Sequence, residues 1–394
     1  MIVRESVMLG GKPLTMEIGR LAKQAETAIL MSYGDTQVLV TLCYSNPRPG
    51  IDFFPLTCDY IEKTYSAGKI PGGFFKREAR QRASEILTCR IMDRPIRPLF
   101  PKGFIKDTQL IATVMSFDRE NKADVLALTG ASACVHLSSM PWAGPIAGVR
   151  VGRIGGDMII NPTFSQLDES DMDIIVACSR DAIVMVEGGG VEMSENELMD
   201  ALDFAQESAQ PVLDLIEEMR AVVGKPKIDF AAPELDADIK ARIAPLVDKE
   251  LLAAAQIPAK HERYGAYAAL KQNMAETLTA AIGEERYAEN QKLISAEFDH
   301  RKYTVVRELV LGEKRRIDGR KFDEIRPIAT EASVLARTHG SALFQRGETQ
   351  AMVTTTLGTK LDEQKMDALH GQSWKRFYLH YNFPPYCTGE TKFL

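Results

Sequence analysis

Two stretches of this chain are near copies of one another. Residues 34–41 read GDTQVLVT and residues 347–354 read GETQAMVT, 313 positions later, with Leu30 and Leu343 in the same register. Further on, Tyr60, Tyr65 and Gly68 recur as Tyr381, Tyr386 and Gly389, now 321 positions later, so the second copy has gained a short insertion. One such octamer arises by chance. Two matches in the same order, in the same strand context, mark a duplicated unit. A chain built this way folds with one domain type occurring twice, and 394 residues leave room for two or three domains. The first copy runs on far past Gly68, whereas only five residues follow Gly389. A sheet cut there keeps an unpaired edge and an unfilled core, so the expectation is a fragment of a longer protein or a truncated gene product, with a small natural half-domain as the alternative.

The local patterns fill in the rest. Gly10 and Gly11 sit between two short apolar runs, and Gly155 and Gly156 repeat the arrangement, both hairpin signals. Residues 173–190 give two strands and a triple glycine, Gly188 to Gly190. No Gly-Lys-Ser/Thr follows, so these glycines read as a plain turn and not as a phosphate loop. Ser194 and Glu197 form a capping box ahead of Leu198, Ala201, Leu202 and Ala205 at helical spacing. That helix is expected to kink or break at Pro211 and to stop at Gly224 and Pro226. After a Pro-bearing link, residues 236–312 mix charged and apolar residues without strand alternation, which predicts an all-helical domain with solvated charged faces. Strand signals return after Arg316. The order is therefore α/β (α+β), then helical, then mixed again, with boundaries at 1–225, 236–312 and 313–394.

The formal charge is −6, which argues against a generally basic nucleic-acid binder and requires any nucleic-acid contact to be a local patch. Such a patch exists. Residues 72–100 read GGFFKREARQRASEILTCRIMDRPIRPLF, with Phe74 and Phe75 on a glycine turn followed by Lys76, Arg77, Arg80, Arg82, Arg90, Arg94 and Arg97. Phenylalanines on a Gly-Gly turn are poor core material but can stack on any base, worth about 1–3 kcal/mol per base. Neighbouring cations can meet phosphates. The stretch from Arg82 onward predicts a helix ending before Pro95, with Arg90 and Arg94 four apart on one face. Glu78, Glu85 and Asp93 are close enough to pair with these arginines, so Arg90, Arg94 and Arg97 also have a structural reading. The six cysteines are scattered and read as reduced, mostly buried thiols of a cytoplasmic protein; the six histidines show no metal-ligand spacing. No basic start leads into an apolar run, and no apolar run is long enough to span a membrane.

Taken together, FFKRE with DRPIRPLFP, KHERY, RIDGR, RTHGSALFQRGETQ and HYNFPPY resemble bacterial polynucleotide phosphorylases (polyribonucleotide nucleotidyltransferases) along the whole chain. The resemblance implies an RNase PH-like domain (the ribosomal protein S5 domain 2-like fold), an all-helical domain, and the start of a second RNase PH-like domain. It implies processive 3′-to-5′ phosphorolysis of single-stranded RNA during mRNA degradation, with inorganic phosphate as co-substrate and Mg2+ as cofactor. It also implies a cytoplasmic homotrimer around an RNA channel, with an RNA-degradation complex as a further partner and no membrane. In the family the loop at Phe74, Phe75, Lys76 and Arg77 constricts that channel.

The family's catalytic groups fall in the later part of the second copy, beyond Leu394. The first copy offers no substitute. Its phosphate-loop position reads ENKADV (120–125), without a hydroxyl. Asp173 matches one catalytic aspartate, but Ile175 stands where the lysine would be and Leu167 near the other aspartate. Asp168, Asp171 and Asp173 read first of all as polar residues leading into a strand. Catalytic and metal-binding residues are therefore expected to be absent from this chain, leaving RNA-binding candidates Phe74, Phe75, Lys76, Arg77, Arg80, Arg90, Arg94 and Arg97. The alternative function is a non-catalytic RNA-binding or assembly fragment. Many family members follow the loop with Gly-Arg-Pro-Ser/Thr-Glu where this chain has Ala79, Arg80, Gln81, Arg82 and Ala83. The extra arginine either adds a backbone contact to RNA or stiffens the helix start.

Overall fold

Gly10 and Gly11 take positive φ (55° and 79°). The strands they join, β1 (Val3–Leu9) and β2 (Lys12–Ile18), pair antiparallel in this computed structural model, which describes residues 1–72, 76–78 and 80–393. The chain continues through β3 (Thr27–Tyr33), β4 (Thr36–Ser45), β5 (Leu56–Glu62), α1 (Ala83–Ile96), β6 (Asp107–Ser116) and α2 (Asp124–Leu137). It then forms β7 (Ala147–Ile154), β8 (Asp157–Ile160), α3 (Phe164–Glu169), β9 (Met172–Cys178), β10 (Ile183–Gly190) and α4 (Glu195–Val223). A six-stranded sheet runs in the order β1-β2-β3-β4-β6-β5, and a four-stranded sheet in the order β10-β9-β7-β8. Helix α2 packs on β3, β4 and β6 of one sheet and on β7 of the other. That placement explains its composition: every residue but Asp124 is buried, as an apolar-all-round helix requires. Met31, Val38, Val40 and Leu42 are almost fully enclosed in the same core.

Three local expectations need correction. Helix α4 runs unbroken through Pro211. The ring removes one backbone donor, but Ala205, Ala209, Val212, Leu213, Ile216 and Met219 bury one continuous face, which outweighs that loss. Helix α1 likewise includes Pro95 and ends one residue later, at Ile96. The triple glycine is the end of β10 and not a turn: Gly188, Gly189 and Gly190 pair with Ile174, Asp173 and Met172. A Cβ on Gly188 would lie 2.1 Å from the Asp173 carbonyl oxygen, so the close approach to β9 demands glycine there. The cysteines also differ from expectation. All six are free, but only Cys134 and Cys178 are buried, while Cys43 and Cys387 are exposed.

Chain contacts divide the molecule into two units, Met1–Ala232 with Glu363–Leu394, and Pro233–Asp362. The second unit contains α5 (Ala237–Ala255), α6 (Lys260–Ile282) and α7 (Glu284–Glu313). Ile239, Ile243, Val247 and Leu251 recur every four residues along α5 and bury one stripe against Met274, Leu278, Ile294 and Phe298. Its three-stranded sheet, β11 (Ile328–Ala332), β12 (Gly340–Arg346) and β13 (Thr349–Thr355), is the returning copy. Chain 363–394 belongs to the first unit and adds the hairpin β14 (Gln364–Asp367) and β15 (Gln372–Lys375).

The duplication is visible in backbone geometry. Gly34 turns β3 into β4 at φ 59°, and Gly347 turns β12 into β13 at φ 62°. The 3-10 turn Thr64–Ala67 ends on Gly68 at φ 66°, ψ 28°, and its counterpart Pro385–Thr388 ends on Gly389 at φ 72°, ψ 20°. No helix among the described residues is long and apolar enough to cross a membrane.

Candidate nucleic-acid interface

The chain leaves β5 through the 3-10 turn, passes through the basic segment and re-enters the fold as α1. Phe74, Phe75 and Ala79 lie outside the described residues. Lys76, Arg77 and Arg80 are exposed, and none makes an ion pair among the described residues. Lys76 sits at φ 50°, a left-handed conformation that costs a residue with a Cβ about 1 kcal/mol and persists only where the surroundings impose it. Glu78, between these cations, faces back to the scaffold. It accepts from Lys63 Nζ at 2.6 Å, from the Thr64 N–H at 3.0 Å and from the Thr64 hydroxyl at 3.2 Å. The Lys63 hydrogen bond, then the Thr64 N–H, hold its carboxyl below the usual range.

The arginines of the helix are placed differently. Arg82 is the N-cap of α1. Its N–H donates to Glu85 at 2.8 Å, its Nε to Glu85 at 3.1 Å and its Nη1 to the Asp367 carbonyl at 2.9 Å, while Nη2 pairs with Glu62. The Arg82 side chain thus stiffens the helix start. Arg94 pairs with Glu187 of β10. Arg97 is fastened most thoroughly: it pairs with Asp93 and donates to the Phe54 and Leu56 carbonyls at 2.9 and 3.0 Å. Arg90 is exposed and makes no ion pair among the described residues. The six described candidates therefore separate into exposed cations without carboxylate partners among the described residues, Lys76, Arg77, Arg80 and Arg90, and two arginines tied into the scaffold, Arg94 and Arg97.

A second feature governs the first copy's acid position. The segment that would hold phosphate is closed on itself. Asp118 accepts from Thr36 Oγ1 at 2.9 Å and from the N–H groups of Glu120 and Asn121 at 2.8 Å each, and Lys12 Nζ donates to Asn121 Oδ1 at 2.8 Å. Behind it Arg150, only 5% exposed, pairs with both Asp124 and Asp173, and Lys122 Nζ lies 3.6 Å from Asp173. Asp171 pairs with Arg153 at 2.9 Å. Arg150, Lys122, Tyr33, Val125, Asn161 and Pro162 line the small pocket left there. A divalent cation needs several free carboxylate oxygens. Here the guanidinium already faces both acids, and among the described residues no three His, Cys, Asp or Glu side chains converge on one point. These residues do not fit a Mg2+ ion.

Arg150 was not legible as a partner of Asp173. An arginine inside a strand reads as a solvent-facing residue under strict alternation, yet residues 147–152 of β7 are all buried because both faces are covered. Arg82's ties to Glu62 and to Asp367 depend on tertiary placement, and only Glu85, three residues on, was a local signal.

Comparison with known proteins bears on all of this. Residues 10–141 and 324–393 match the 3′ exoribonuclease family, domain 1, and residues 144–208 match its domain 2. Residues 238–321 match the family described as "Polyribonucleotide nucleotidyltransferase, RNA binding domain". The duplicated segments thus fall in one family model, on either side of the helical match. The polyribonucleotide nucleotidyltransferase of Sorangium cellulosum is 63% identical over 392 residues, covering 100% of this chain and 52% of the relative. That of Geobacter sulfurreducens is 48% identical, covering 98% of this chain and 55% of the relative. That of Anaeromyxobacter dehalogenans is 46% identical, covering 100% and 55%. The chain spans about half the length of the curated relatives it matches.

Proposed function

The chain belongs to the polyribonucleotide nucleotidyltransferase family of 3′ exoribonucleases, and from that premise we propose that the protein degrades single-stranded RNA from its 3′ end by phosphorolysis. In that reaction inorganic phosphate attacks the phosphorus of the terminal phosphodiester, the bond to the 3′ oxygen of the preceding nucleotide breaks, that oxygen takes a proton, and the terminal nucleotide is released as a nucleoside diphosphate. The protein works as a cytoplasmic homotrimer, with Mg2+ offsetting phosphate charge at a site these residues do not form. The residues of this chain hold RNA. Phe74 and Phe75 stack on bases, and Lys76, Arg77, Arg80 and Arg90 meet the phosphate backbone. Arg94 and Arg97 support the helix behind them.

The observation that supports this reading is that Lys76, Arg77 and Arg80 make no ion pair among the described residues, in a chain of net charge −6. A segment that leaves three cations in water next to two phenylalanines contributes little to folding and much to an anionic ligand. The first copy is silent because Asp173, the one acid it keeps, is neutralised by Arg150 and Lys122. Engaged by these two cations, it is not free to assist a leaving oxygen or to hold a metal ion.

The test has two arms. The chain of 394 residues is expected to bind oligo(A), with affinity that falls steeply with salt. The Lys76→Ala/Arg77→Ala double variant should bind more weakly and lower the log–log salt slope by about 1.4, roughly 0.7 for each phosphate of a single strand that is no longer neutralised. An unchanged slope removes the segment from the interface. Phosphate-dependent release of ADP from poly(A) by this chain alone is expected to be nil, and robust release would overturn the silent first copy.

A further inference from the structure

Lys69 and Arg82 flank the basic segment, and both are fastened to the same small object. Lys69 Nζ donates to the Ala368 carbonyl at 2.9 Å, and Arg82 Nη1 donates to the adjacent Asp367 carbonyl at 2.9 Å. These carbonyls belong to the tip joining β14 to β15. Gly72 runs so close to this tip that a Cβ on it would stand 3.2 Å from Asp367 Oδ2.

The tip is itself held. Ala368 and Gly371 exchange backbone hydrogen bonds at 2.9 and 3.2 Å, closing a tight turn. Leu369 is 3% exposed and belongs to the core of the first unit. His370 stacks on Phe164, with ring centroids 4.8 Å apart and planes 21° apart. An apolar anchor and a ring stack therefore fix the object that holds the segment, and residues 367–371 come from the returning part of the chain.

We infer that the hairpin tip 367–371 is the positioning element of the RNA-holding segment, acting through Lys69 and Arg82. The inference rests on the RNA-holding reading above. Its physical basis is the choice of acceptors. At Arg82, which already pairs with Glu62 and Glu85, the carbonyl adds a tie beside those acids; at Lys69 a carboxylate anchor would neutralise the cation and weaken the segment's field. A carbonyl fixes Lys69 while leaving its charge in place. Meanwhile Lys76, Arg77 and Arg80, between the anchors, meet no carboxylate among the described residues. Cations on an unfastened segment must be ordered when ligand arrives, and the affinity falls by the fraction of molecules already in the competent arrangement. Fastening both ends raises that fraction before RNA binds.

The experiment uses Leu369→Ala, which loosens the tip without touching the segment, and Lys69→Ala, which removes one anchor at a part-buried site. Two readouts are taken beside a thermal melt that verifies folding: the rate of tryptic cleavage after Arg77 and Arg80, and oligo(A) affinity. Each variant should be cleaved there about fivefold faster than wild type. Each should bind oligo(A) about tenfold more weakly, the loss expected if the ordered fraction drops to about a tenth. Lys69→Arg should restore both. Unchanged cleavage and affinity in both variants overturn the inference, as does a binding loss in Lys69→Ala with no change in cleavage, which would make Lys69 a direct RNA contact. If wild type itself does not bind oligo(A), the RNA-holding reading fails, and cleavage alone decides whether the tip positions the segment.

Discussion

The cations of residues 76–80 and the arginines of α1 and β7 carry the same charge in opposite circumstances. Lys76, Arg77 and Arg80 have no carboxylate partner among the described residues, although Glu78 stands among them; Glu78 spends its oxygens on Lys63 and Thr64 instead. Arg82, Arg94, Arg97 and Arg150 each meet at least one acid. Proximity in sequence does not sort them. Arg94 finds its acid 93 positions away, and Arg82 finds its carbonyl 285 positions away. Arg90, on α1 but exposed and without an ion pair among the described residues, sides with the first group, so what sorts them is whether the charge is held against the packed unit, where it must be paired, or stands in water, which suffices. The difference assigns ligand duty to the first group and stability to the second, and it can be broken by measurement.

The largest effect is expected at Arg150. Replacing it with methionine leaves Asp124 without its cation and Asp173 with Lys122 alone. Asp173 is 44% exposed on its side chain, so the cost falls at the low end of the range for breaking a buried pair, about 3 kcal/mol by urea unfolding. Oligo(A) affinity, measured where the variant is folded, should stay within about twofold of wild type. A tenfold loss would put this arginine on the ligand side of the comparison. Arg97 comes next. Arg97→Ala gives up a part-exposed ion pair and leaves two backbone carbonyls to water, costing about 1–2 kcal/mol, again with RNA affinity little changed. If Arg97→Ala instead weakens RNA binding while leaving stability intact, the division between segment and helix is wrong.

The duplication, and with it most of the fold, was legible because turn chemistry is local. Gly34 and Gly347 sit where a hairpin needs positive φ, and Gly68 and Gly389 end their 3-10 turns in the left-handed region, so the copies repeat in backbone as in sequence. The same local logic failed at Pro211 and at Gly188 to Gly190. There, long-range packing decided the outcome: a buried face carried α4 through its proline, and the approach of β9 drew three glycines into a strand. The candidate site was half legible. The unpaired segment could be marked from composition. The sorting of its arginines could not, since Glu187, Asp367 and the tip at Leu369 lie far away in sequence.

The smallest effect tests the join between the two groups. Glu78 is an acid of the basic segment that is fastened to the scaffold, and its carboxyl is held below its ordinary value of 4.5 by the Lys63 hydrogen bond and the Thr64 N–H. The folded state therefore binds this proton less readily than the unfolded state. The anchor's contribution is fully present above the unfolded value and is lost as pH falls through the folded one. The stability difference between wild type and Glu78→Gln should accordingly favour wild type at about pH 6–7, shrink as pH falls below the ordinary value of 4.5 and vanish once pH lies below the lowered folded value. None of the three loop cations has a carboxylate partner among the described residues to lose, so Lys76→Ala and Arg77→Ala should show no such acid-dependent difference from wild type. A Glu78→Gln difference that stays flat across that range means the carboxylate is not paired in solution. The segment would then have lost its middle anchor, and only the ends at Lys69 and Arg82 would separate it from an ordinary exposed loop.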